Sequence, residues 1–449
     1  MRLVVSAIEF SNLKRALFAP APAEGAAFLS VQADGGTLRL RSYHVFEPHE
    51  LEGGAFGHVT VSEEVQVREL AAIKRAGFAA VEVHTHPGSP ASVSFSRYDN
   101  EELPAFARYV QNKLRGQPFG ALVLGEANYA ARAWDRDHRE VALRLDVVGE
   151  RSATPEWAIP SVTRAEVADP TFDRQVRALG RAGQARIRDL RVAVVGLGGT
   201  GSQVVQQLAH LGVRRFTLID DDRVERSNLP RLAGARWWDV PLRRSKAAVA
   251  RRTVRGLTPS ARIRTPGTLR RTESLTALQN VDIIVGCVDN DGARLVLGEL
   301  AAAYLIPYLD LGVGIEDVSQ GSNSSIGGRI GFYIPGGPCL ACADELDFAE
   351  AAEDLESEAA RAIRVERGYA RDQRVEPALM PLNTTIVGLG MVEFLAYFTG
   401  VRPVRAFYRY DAIRADIVGL NADIDDSCAV CRPAHARGPC QQIHRYALS

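Results

Sequence analysis

Residues 194–201 read Val-Val-Gly-Leu-Gly-Gly-Thr-Gly and decide the fold of the surrounding chain. An apolar run over 191–195 enters this glycine turn, residues 202–211 have helical apolar spacing, and a second run over 216–219 ends in Asp220. A strand, a glycine turn, a helix and a strand ending in an acid form a nucleotide-binding unit. The glycines let backbone amides and the helix N-terminus approach a phosphate, and the acid can bind ribose hydroxyls. The phosphate-binding candidates are Gly196, Gly198, Gly199 and Gly201.

The composition is that of a globular chain with two or three domains. It has 449 residues, of which 46% are hydrophobic and 24% charged, with 54 basic and 54 acidic side chains. The zero net charge gives no bulk argument for nucleic acid or an anionic membrane as partner. The sequence shows no apolar run of spanning length and no signal-peptide layout, so we expect a cytoplasmic location and no membrane contact.

The pattern along the chain predicts two domains. We place an N-terminal α+β domain over 1–148, a polar, proline-containing linker over 149–171, and a second domain over 172–445. In the first, strand-like runs cover 26–31, 37–40, 79–83, 121–124 and 141–147.

The second domain alternates strand and helix signals, which predicts a mainly parallel sheet covered by helices, a Rossmann-like α/β fold. Strands are predicted over 191–195, 215–219, 281–287 and 306–310, and helices over 201–211, 243–255 and 291–303. The later segments are predicted as a hairpin or meander over 320–334, an exposed crossing segment or mobile loop over 344–375, and a buried helix over 380–398.

The residues beyond the glycine turn indicate which nucleotide chemistry to expect. Arg231, Lys246 and Asp289 stand at or after the carboxyl ends of predicted strands, where α/β folds bind ligands. A dehydrogenase requires none of them. Activation of a carboxylate by ATP requires cations for the triphosphate and a carboxylate to hold magnesium.

In their order, these residues resemble the adenylating domain of the ThiF/MoeB family, which includes ubiquitin-activating enzymes. The shared pattern comprises Gly196–Gly201, Asp220, Asp222, Ser227, Asn228, Leu229, Arg231, Lys246, Asp289, Asn290 and Arg294. The resemblance implies that Asp220 binds ribose, that Asn228, Arg231 and Lys246 contact phosphates, and that Asp289 coordinates magnesium. From the residues alone, Asp222 is also readable as a helix-capping acid, and Arg294 as a surface or salt-bridge residue.

The same resemblance extends to the start of the domain. Residues 172–175 are similar to the family's Tyr-x-Arg-Gln motif, which implies that Arg174 reaches the γ-phosphate of a partner subunit and that the protein is a homodimer. One departure is Leu232, which stands where the family usually has glutamine.

Four cysteines form two Cys-x-x-Cys pairs, Cys339 with Cys342 and Cys428 with Cys431. In an intracellular chain this spacing favours a metal over disulfides, and four thiolates form a closed, structural zinc site. Such a zinc would tie the C-terminal segment to its domain, as in the ThiF/MoeB family. A redox pair is the alternative.

The two other cysteines have weaker signals. Cys287 lies in an apolar run and is predicted to be inert core, whereas Cys440 lies in a polar tail. Ubiquitin-activating enzymes that form a thioester carry a cysteine in the crossing segment, and residues 344–380 contain none. A family-type thioester at that position is therefore excluded. For Cys440 a free tail thiol and thiol chemistry both stay open.

The N-terminal domain carries a second group of candidate ligands. His84 and His86 lie two residues apart at the end of an apolar run, on one face of the predicted strand. With Asp99 they form a catalytic-type zinc set that leaves a position for water. A further carboxylate is needed to accept the proton of that water. Ordinary strand histidines are the alternative.

This His-x-His-Pro run with a downstream Ser-x-x-Asp resembles the JAB/MPN metalloprotease family (JAMM motif). The resemblance implies that Glu24 is the general base and that Ser96 helps to hold the oxyanion. The loop between His86 and Ser96 is two residues longer than the family's usual loop.

Together the two resemblances imply one substrate, a small ubiquitin-like or sulfur-carrier protein that ends in Gly-Gly. The C-terminal domain would adenylate its carboxylate with ATP and Mg²⁺, and the N-terminal domain would hydrolyse peptide or isopeptide bonds after that tail. A conjugating enzyme or a sulfurtransferase would then accept the activated tail. Two rivals are a peptide-modifying adenylating enzyme and a scaffold with an inactive JAB domain.

Overall fold

The computed structural model describes residues 1–52, 60–88, 93–148, 170–315, 325–356, 377–438 and 441–448. The chain forms two compact units, the first from Met1–Ser161 with His435–Gln441 and the second from Val162–Ala434 with Gln442–Ser449. Most of the predicted linker, Cys440 and much of the predicted crossing segment lie outside the described residues.

The first unit is a mixed sheet with helices on its faces. Its strands are β1 (Arg2–Ser6), β2 (Ala26–Asp34), β3 (Thr37–Val45), β4 (Leu51–Glu52), β5 (Thr60–Val61), β6 (Ala79–Thr85), β7 (Phe119–Leu124), β8 (Tyr129–Trp134), β9 (Glu140–Ala142) and β10 (Arg144–Val148), and its helices are α1 (Ala7–Phe18), α2 (Glu63–Ala76) and α3 (Arg97–Lys113). The main sheet runs in the order β10-β1-β3-β2-β6-β7-β8-β9. Every strand-like run predicted for this part of the chain lies in a strand, although the run over 141–147 is two strands.

Two apolar layers fix the faces of this sheet. One layer contains Leu29, Val81 and Val83 together with side chains of α1, and the other contains Phe28 and Ala80 together with side chains of α2 and α3. Because side chains alternate along a strand, β6 sends its even-numbered residues to the α2 and α3 side. His84 therefore lies on the side from which α3 begins.

The second unit holds the Rossmann-like fold. Its strands are β11 (Arg191–Val195), β12 (Arg215–Ile219), β13 (Arg262–Gly267), β14 (Ile283–Gly286), β15 (Tyr308–Ile315), β16 (Ile326–Tyr333), β17 (Phe407–Asp411) and β18 (Asp416–Gly419). Its helices are α4 (Asp173–Asp189), α5 (Gly199–His210), α6 (Lys246–Leu257), α7 (Thr272–Leu278), α8 (Asp291–Tyr304), α9 (Phe348–Leu355), α10 (Met380–Thr399) and α11 (Cys431–Ala434).

The sheet of this unit runs in the order β13-β12-β11-β14-β15-β16-β17-β18. The strands from β13 to β15 are parallel, and those from β15 to β18 are antiparallel. The prediction of a mainly parallel sheet is thus right for one half, and the sheet as a whole is mixed. In the described part of the segment 320–334, a single strand, β16, pairs with both β15 and β17.

The structure differs locally from the sequence prediction in three places. Helix α6 begins at Lys246 and not at 243, because the side chain of Ser245 accepts a hydrogen bond from the backbone N–H of Ala248 and caps the helix there. The edge strand β13 was not predicted, because its Arg-Ile-Arg-Thr sequence is largely exposed and lacks an apolar run. The segment over 344–375 contains a short helix, α9, whose Ala351 is fully buried.

Helix α10 corrects the expectation that no segment reaches the length of a membrane span. By length and composition alone its 20 residues are apolar enough to cross a bilayer. However, Ile386, Val387 and Phe394 are fully buried in the core of the second unit, against the sheet. The prediction of a buried helix over 380–398 is confirmed.

Candidate functional site

The candidate nucleotide site lies at one edge of the parallel strands. Val195 pairs in register with Ile219 on one side and with Gly286 on the other, so β11, β12 and β14 end together. The glycine turn, Asp220 and the segment that leads to Asp289 therefore emerge at the same edge. This is the edge at which open α/β sheets bind ligands.

The glycine turn is packed too closely against backbone atoms for larger residues at two positions. Gly196 has φ +83°, and a Cβ added there would lie 2.4 Å from the carbonyl oxygen of Cys287. A Cβ added to Gly201 would lie 1.8 Å from the carbonyl oxygen of Gly196. At Gly198, by contrast, an added Cβ would meet no atom within 4 Å. The turn is therefore closely packed at Gly196 and Gly201 and open at Gly198.

Asp220 is tied to the turn. Its carboxylate accepts hydrogen bonds from the backbone N–H of Leu197, at 2.6 Å, and of Asp222, at 2.8 Å. Burial raises the pKa of Asp220 against the opposing effects of Lys246 and of these hydrogen bonds. The carboxylate is thus held at the end of β12, in the place of a ribose-binding acid.

Lys246 and Asp222 form an ion pair, with 2.6 Å between Nζ and Oδ2. The Lys246 side chain is 13% exposed, whereas that of Asp222 is 67% exposed. The interpretation of Asp222 as a helix-capping acid is wrong, because Ser245 caps α6 and Asp222 pairs with the lysine. The charge of Lys246 also acts on Asp220, whose pKa it lowers against the effect of burial.

The other predicted nucleotide ligands have varied environments. Asn228 is buried, and its Oδ1 accepts a hydrogen bond from the backbone N–H of Glu225 at 3.0 Å. Arg231 packs against Gly199, where its Cβ and Cδ lie 3.5 Å from the position of an added Cβ. Asp289 and Arg174 are exposed.

A buried ionic network that the sequence did not reveal lies beside this edge. Asp310 is fully buried and accepts a hydrogen bond from the hydroxyl of Tyr308 at 2.8 Å. Its carboxylate also lies 3.3 Å from Nε of Arg329 and 3.6 Å from Nε of Arg294. Arg294, 13% exposed, pairs with Asp291 at 2.5 Å. Of the two interpretations left open for Arg294, the structure favours the salt bridge.

The four cysteines of the two Cys-x-x-Cys pairs converge, although 89 residues separate the pairs. Three sulfur–sulfur distances are 3.8 Å for Cys339 to Cys342, 3.6 Å for Cys339 to Cys428, and 3.7 Å for Cys342 to Cys431. A tetrahedron of thiolates at a Zn–S distance of about 2.3 Å places its sulfur atoms about 3.8 Å apart. The cluster therefore fits a zinc ion, and the distances are far too long for disulfides.

The surroundings of Cys339 and Cys287 distinguish a candidate metal ligand from a core residue. A hydrogen bond from the Cys431 thiol, opposed by burial, is the main cause that lowers the pKa of Cys339 to about 5. Burial raises the pKa of Cys287, which packs near Gly201 under the glycine turn. Cys339 is thus suited to bind metal as a thiolate, and Cys287 stays a protonated core residue.

In the first unit, His84, His86 and Asp99 come together. One ligand atom from each lies within 4.8 Å of the others, and Nε2 of His84 is 3.6 Å from Oδ2 of Asp99. Glu24 joins them, with Oε1 at 3.7 Å from Nε2 of His86. The next residue, Gly25, exchanges hydrogen bonds with Thr85 of β6, which fixes Glu24 beside the histidines.

The electrostatics of this cluster suit a cation. Burial alone would raise the pKa of Asp99, but the hydrogen bond and charge of His84 hold it well below its ordinary value. Burial, followed by the charge of His84, lowers the pKa of His86. Burial also raises the pKa of Glu24, which brings the pKa of this candidate base nearer to neutral pH.

Ser96 has a local structural role at this cluster. Its side chain caps α3 by accepting a hydrogen bond from the backbone N–H of Asp99 at 3.1 Å, and its own N–H donates to Oδ2 of Asp99 at 2.6 Å. The two residues form a capping box that orients the Asp99 carboxylate. The oxyanion role implied for Ser96 stays a prediction.

Sequence reasoning missed Glu82. It lies on the same strand face as His84, and its Oε2 is buried with no hydrogen-bond partner. Burial raises the pKa of this carboxyl. Its signal in the sequence is a charged residue at a position where the alternation of β6 demands an apolar one.

Comparisons with known proteins match a family model to the second unit. A model of the ThiF family matches residues 172–430. Ubiquitin-like modifier-activating enzyme 5 of Oryza sativa subsp. japonica is 27% identical over 295 residues, which cover 60% of this chain and 65% of that protein. SAMP-activating enzyme E1 of Haloferax volcanii is 31% identical over 165 residues, which cover 36% of this chain and 57% of that protein. The chain thus spans somewhat under two thirds of the length of these relatives.

A solved structure of E. coli MccB with MccA-N7isoASN is 18% identical to this chain. The match covers 60% of this chain and 76% of that one, with a TM-score of 0.47.

Proposed function

Because the chain belongs to the ThiF family, we propose that its second unit uses ATP to adenylate the C-terminal Gly-Gly carboxylate of a ubiquitin-like or sulfur-carrier protein. The observation that carries the proposal is the convergence at one sheet edge of the glycine turn, Asp220 and Lys246. The names of the relatives support this substrate class, since one is called a ubiquitin-like modifier-activating enzyme and the other a SAMP-activating enzyme E1.

In this proposal each side chain has one task. Asp220 binds the ribose hydroxyls, and the backbone of the glycine turn with Asn228, Arg231 and Lys246 binds the phosphates. The substrate carboxylate attacks the α-phosphorus, the bond from that phosphorus to the bridging oxygen breaks, and pyrophosphate leaves. The cationic side chains offset the charge that develops on the leaving group.

Mg²⁺ fits the carboxylate of Asp289, which is an oxygen ligand of the kind that this hard cation prefers. Asp289 is exposed where the chain leaves β14, so its carboxylate can reach a metal–phosphate complex at the sheet edge. Bound there, the ion would neutralise phosphate charge.

The acyl-adenylate would pass to sulfide, to a sulfurtransferase or to the cysteine of a conjugating enzyme. We further propose a homodimer in which the exposed Arg174 of one subunit reaches the γ-phosphate bound to the other. We also propose that Cys339, Cys342, Cys428 and Cys431 hold a structural zinc ion that ties the C-terminal segment to the second unit.

ATP–pyrophosphate exchange, driven by a purified Gly-Gly protein, tests the adenylation. Asp289→Ala should abolish the exchange, and Asp423→Ala, which changes another exposed carboxylate of the same unit, should leave it intact. Exchange that runs equally well with an unrelated short peptide would favour the rival, a peptide-modifying adenylating enzyme. Absence of exchange with every Gly-Gly protein of the source genome would refute the proposal.

For the first unit we propose a JAB/MPN-type zinc metallopeptidase that cleaves peptide or isopeptide bonds after the same tail. The supporting observation is the cluster of His84, His86 and Asp99 with Glu24 at its edge. Two imidazoles and a carboxylate are a catalytic zinc set, and the ion would activate a water as nucleophile. Glu24, whose pKa is raised by burial, would accept the proton of that water.

Metal content and one substitution test the second activity. An active peptidase with the four-cysteine site should contain two zinc ions per chain, whereas a scaffold with an inactive JAB domain should contain one. Glu24→Gln should remove peptidase activity, keep both zinc ions and leave ATP–pyrophosphate exchange unchanged. Loss of both activities in this single variant would contradict independent sites.

A further inference from the structure

A polar side chain that none of the assignments above uses lies at the candidate nucleotide site. Asn383 is in the first turn of α10, a helix that is otherwise mainly apolar. It is 3% exposed and faces α5, against which α10 packs. Ordinary core packing would favour an apolar residue at such a position.

The amide group of Asn383 lies directly against the glycine turn. A Cβ added to Gly199 would lie 2.3 Å from Nδ2 of Asn383 and 3.5 Å from Cβ and Cδ of Arg231. Asn383 and Arg231 therefore approach the same glycine. Arg231 is already assigned to the phosphates, so the amide nitrogen is placed where phosphate oxygens are expected.

A chain of hydrogen bonds holds this turn of α10 in place. The Thr384 hydroxyl donates to Oε1 of Gln203 at 2.6 Å, and Nε2 of Gln203 donates to the carbonyl oxygen of Gly199 at 3.2 Å. The glycine turn and the start of α10 are thereby linked through side chains. The position of the Asn383 amide relative to the turn is fixed before a ligand binds.

Within the described residues, the Asn383 side chain makes no hydrogen bond to another protein group. A carboxamide offers two N–H donors, and a donor without a partner in the protein can bind an acceptor atom of a ligand. An anionic oxygen that binds beside Gly199 would satisfy one of these donors. The uncharged amide can approach Arg231 without repulsion.

We propose that Asn383 is a further nucleotide-binding residue, whose Nδ2 donates a hydrogen bond to a phosphate oxygen of ATP beside Gly199. The inference rests on the proposed ATP-dependent function and adds a contact from the opposite end of the domain sequence. It also explains why a buried position of an apolar helix carries an amide.

The test compares the binding of ATP and of adenosine to the full-length protein by isothermal titration calorimetry with Mg²⁺. Asn383→Leu removes both donors at similar volume and should weaken ATP binding about tenfold, because one hydrogen bond to a charged group is lost. Asn383→Asp should weaken it further, because a carboxylate repels phosphate. Adenosine, which lacks phosphates, should bind all variants within about twofold of wild type.

Thr385→Ala is the matched control. Thr385 lies two residues further along α10, and its hydroxyl donates to the carbonyl oxygen of Pro381 within the same helix. This variant should bind ATP like wild type. Should the leucine variant fail to fold, Asn383→Ala, which leaves only a small cavity, gives the same comparison.

Two results would overturn the inference. One is unchanged ATP affinity in the Asn383 variants, and the other is an equal loss for ATP and adenosine, which would show a purely structural role. If the wild-type protein itself bound no ATP, the proposed function would be refuted. If wild type bound ATP and the Asn383 variants bound it equally well, only the role of Asn383 would be refuted.

Discussion

Replacement of Gly201 by alanine tests the packing of the glycine turn. An added Cβ would lie 1.8 Å from the carbonyl oxygen of Gly196, and real Cβ contacts essentially never fall below 3.0 Å, so the backbone must shift by about 1.2 Å. Overpacking of this kind costs about 1–3 kcal/mol, more where the conflict is with backbone. In an unconstrained helix the same change would instead stabilise the fold by about 1 kcal/mol. We therefore expect a net loss of about 2 kcal/mol.

For a unit of this size, a loss of about 2 kcal/mol lowers Tm by about 4–8 °C. The assay is thermal unfolding followed by circular dichroism, and the transition of the second unit is the one that saturating ATP raises in wild type. A Gly201→Ala variant with unchanged or raised Tm would refute the packing argument, because helix propensity would then have decided the outcome.

Gly198→Ala is the control for this variant. An added Cβ at Gly198 meets no atom within 4 Å, and its φ of −72° is open to alanine. Its Tm should stay within about 2 °C of wild type, since surface changes without such conflicts cost at most about 0.5 kcal/mol. Its ATP affinity should fall, because the methyl group enters the open space in front of the turn. Equal effects of both glycine variants on Tm would contradict the distinction between the closely packed Gly201 and the open Gly198.

Two further predictions concern the metal cluster and the first unit. Cys342→Ser should reduce the zinc content by one ion per chain and lower the Tm of the second unit, because three thiolates no longer close a tetrahedral site; unchanged zinc by mass spectrometry would contradict the four-cysteine assignment. Burial alone would raise the pKa of Glu50, but hydrogen bonds from Arg68, Glu47 and His44 outweigh it and lower the pKa to about 2. Because the folded pKa is depressed, this stabilisation is complete above the unfolded value of 4.5 and is lost as the pH falls towards 2. Glu50→Gln should flatten that part of the stability curve, by at most about 1 kcal/mol because the partner Arg68 is half exposed, and a wild-type-like acid profile would contradict the assignment.

The sequence predicted the elements whose pattern is local. The strands β11 and β12, with the glycine turn and helix between them, follow from apolar runs and glycines within thirty residues. The edge strand β13 was missed because pairing with β12, and not its own apolar content, makes it a strand. The half of the sheet beyond β15 is antiparallel, and the predicted hairpin or meander over 320–334 indicated antiparallel strands without identifying β15 and β17 as the partners of β16.

The candidate sites also combine features that the sequence predicted with contacts that it did not. The types of the predicted ligands, and in the metal clusters their spacing, could be deduced from the sequence, and the structure brings the four cysteines together, as it does His84, His86 and Asp99. The pairing of Lys246 with Asp222 could not be deduced, because an acid near a helix start is equally compatible with a cap. The role of Ser96 as the cap of α3 was likewise not deduced from the sequence.

By itself the sequence determined the nucleotide-binding unit, the ligand types and the chemistry to which they are suited, because backbone freedom at glycine and the donor set of each side chain are properties of single residues. Only the tertiary structure decided that Asn383 lies against Gly199 and that Arg294 is committed to Asp291 and Asp310. Those contacts join residues far apart in the chain, and their formation depends on how α10 and β15 pack on the sheet. A hydrogen bond extends over about 3 Å, so its partners are known only once the fold has placed both groups.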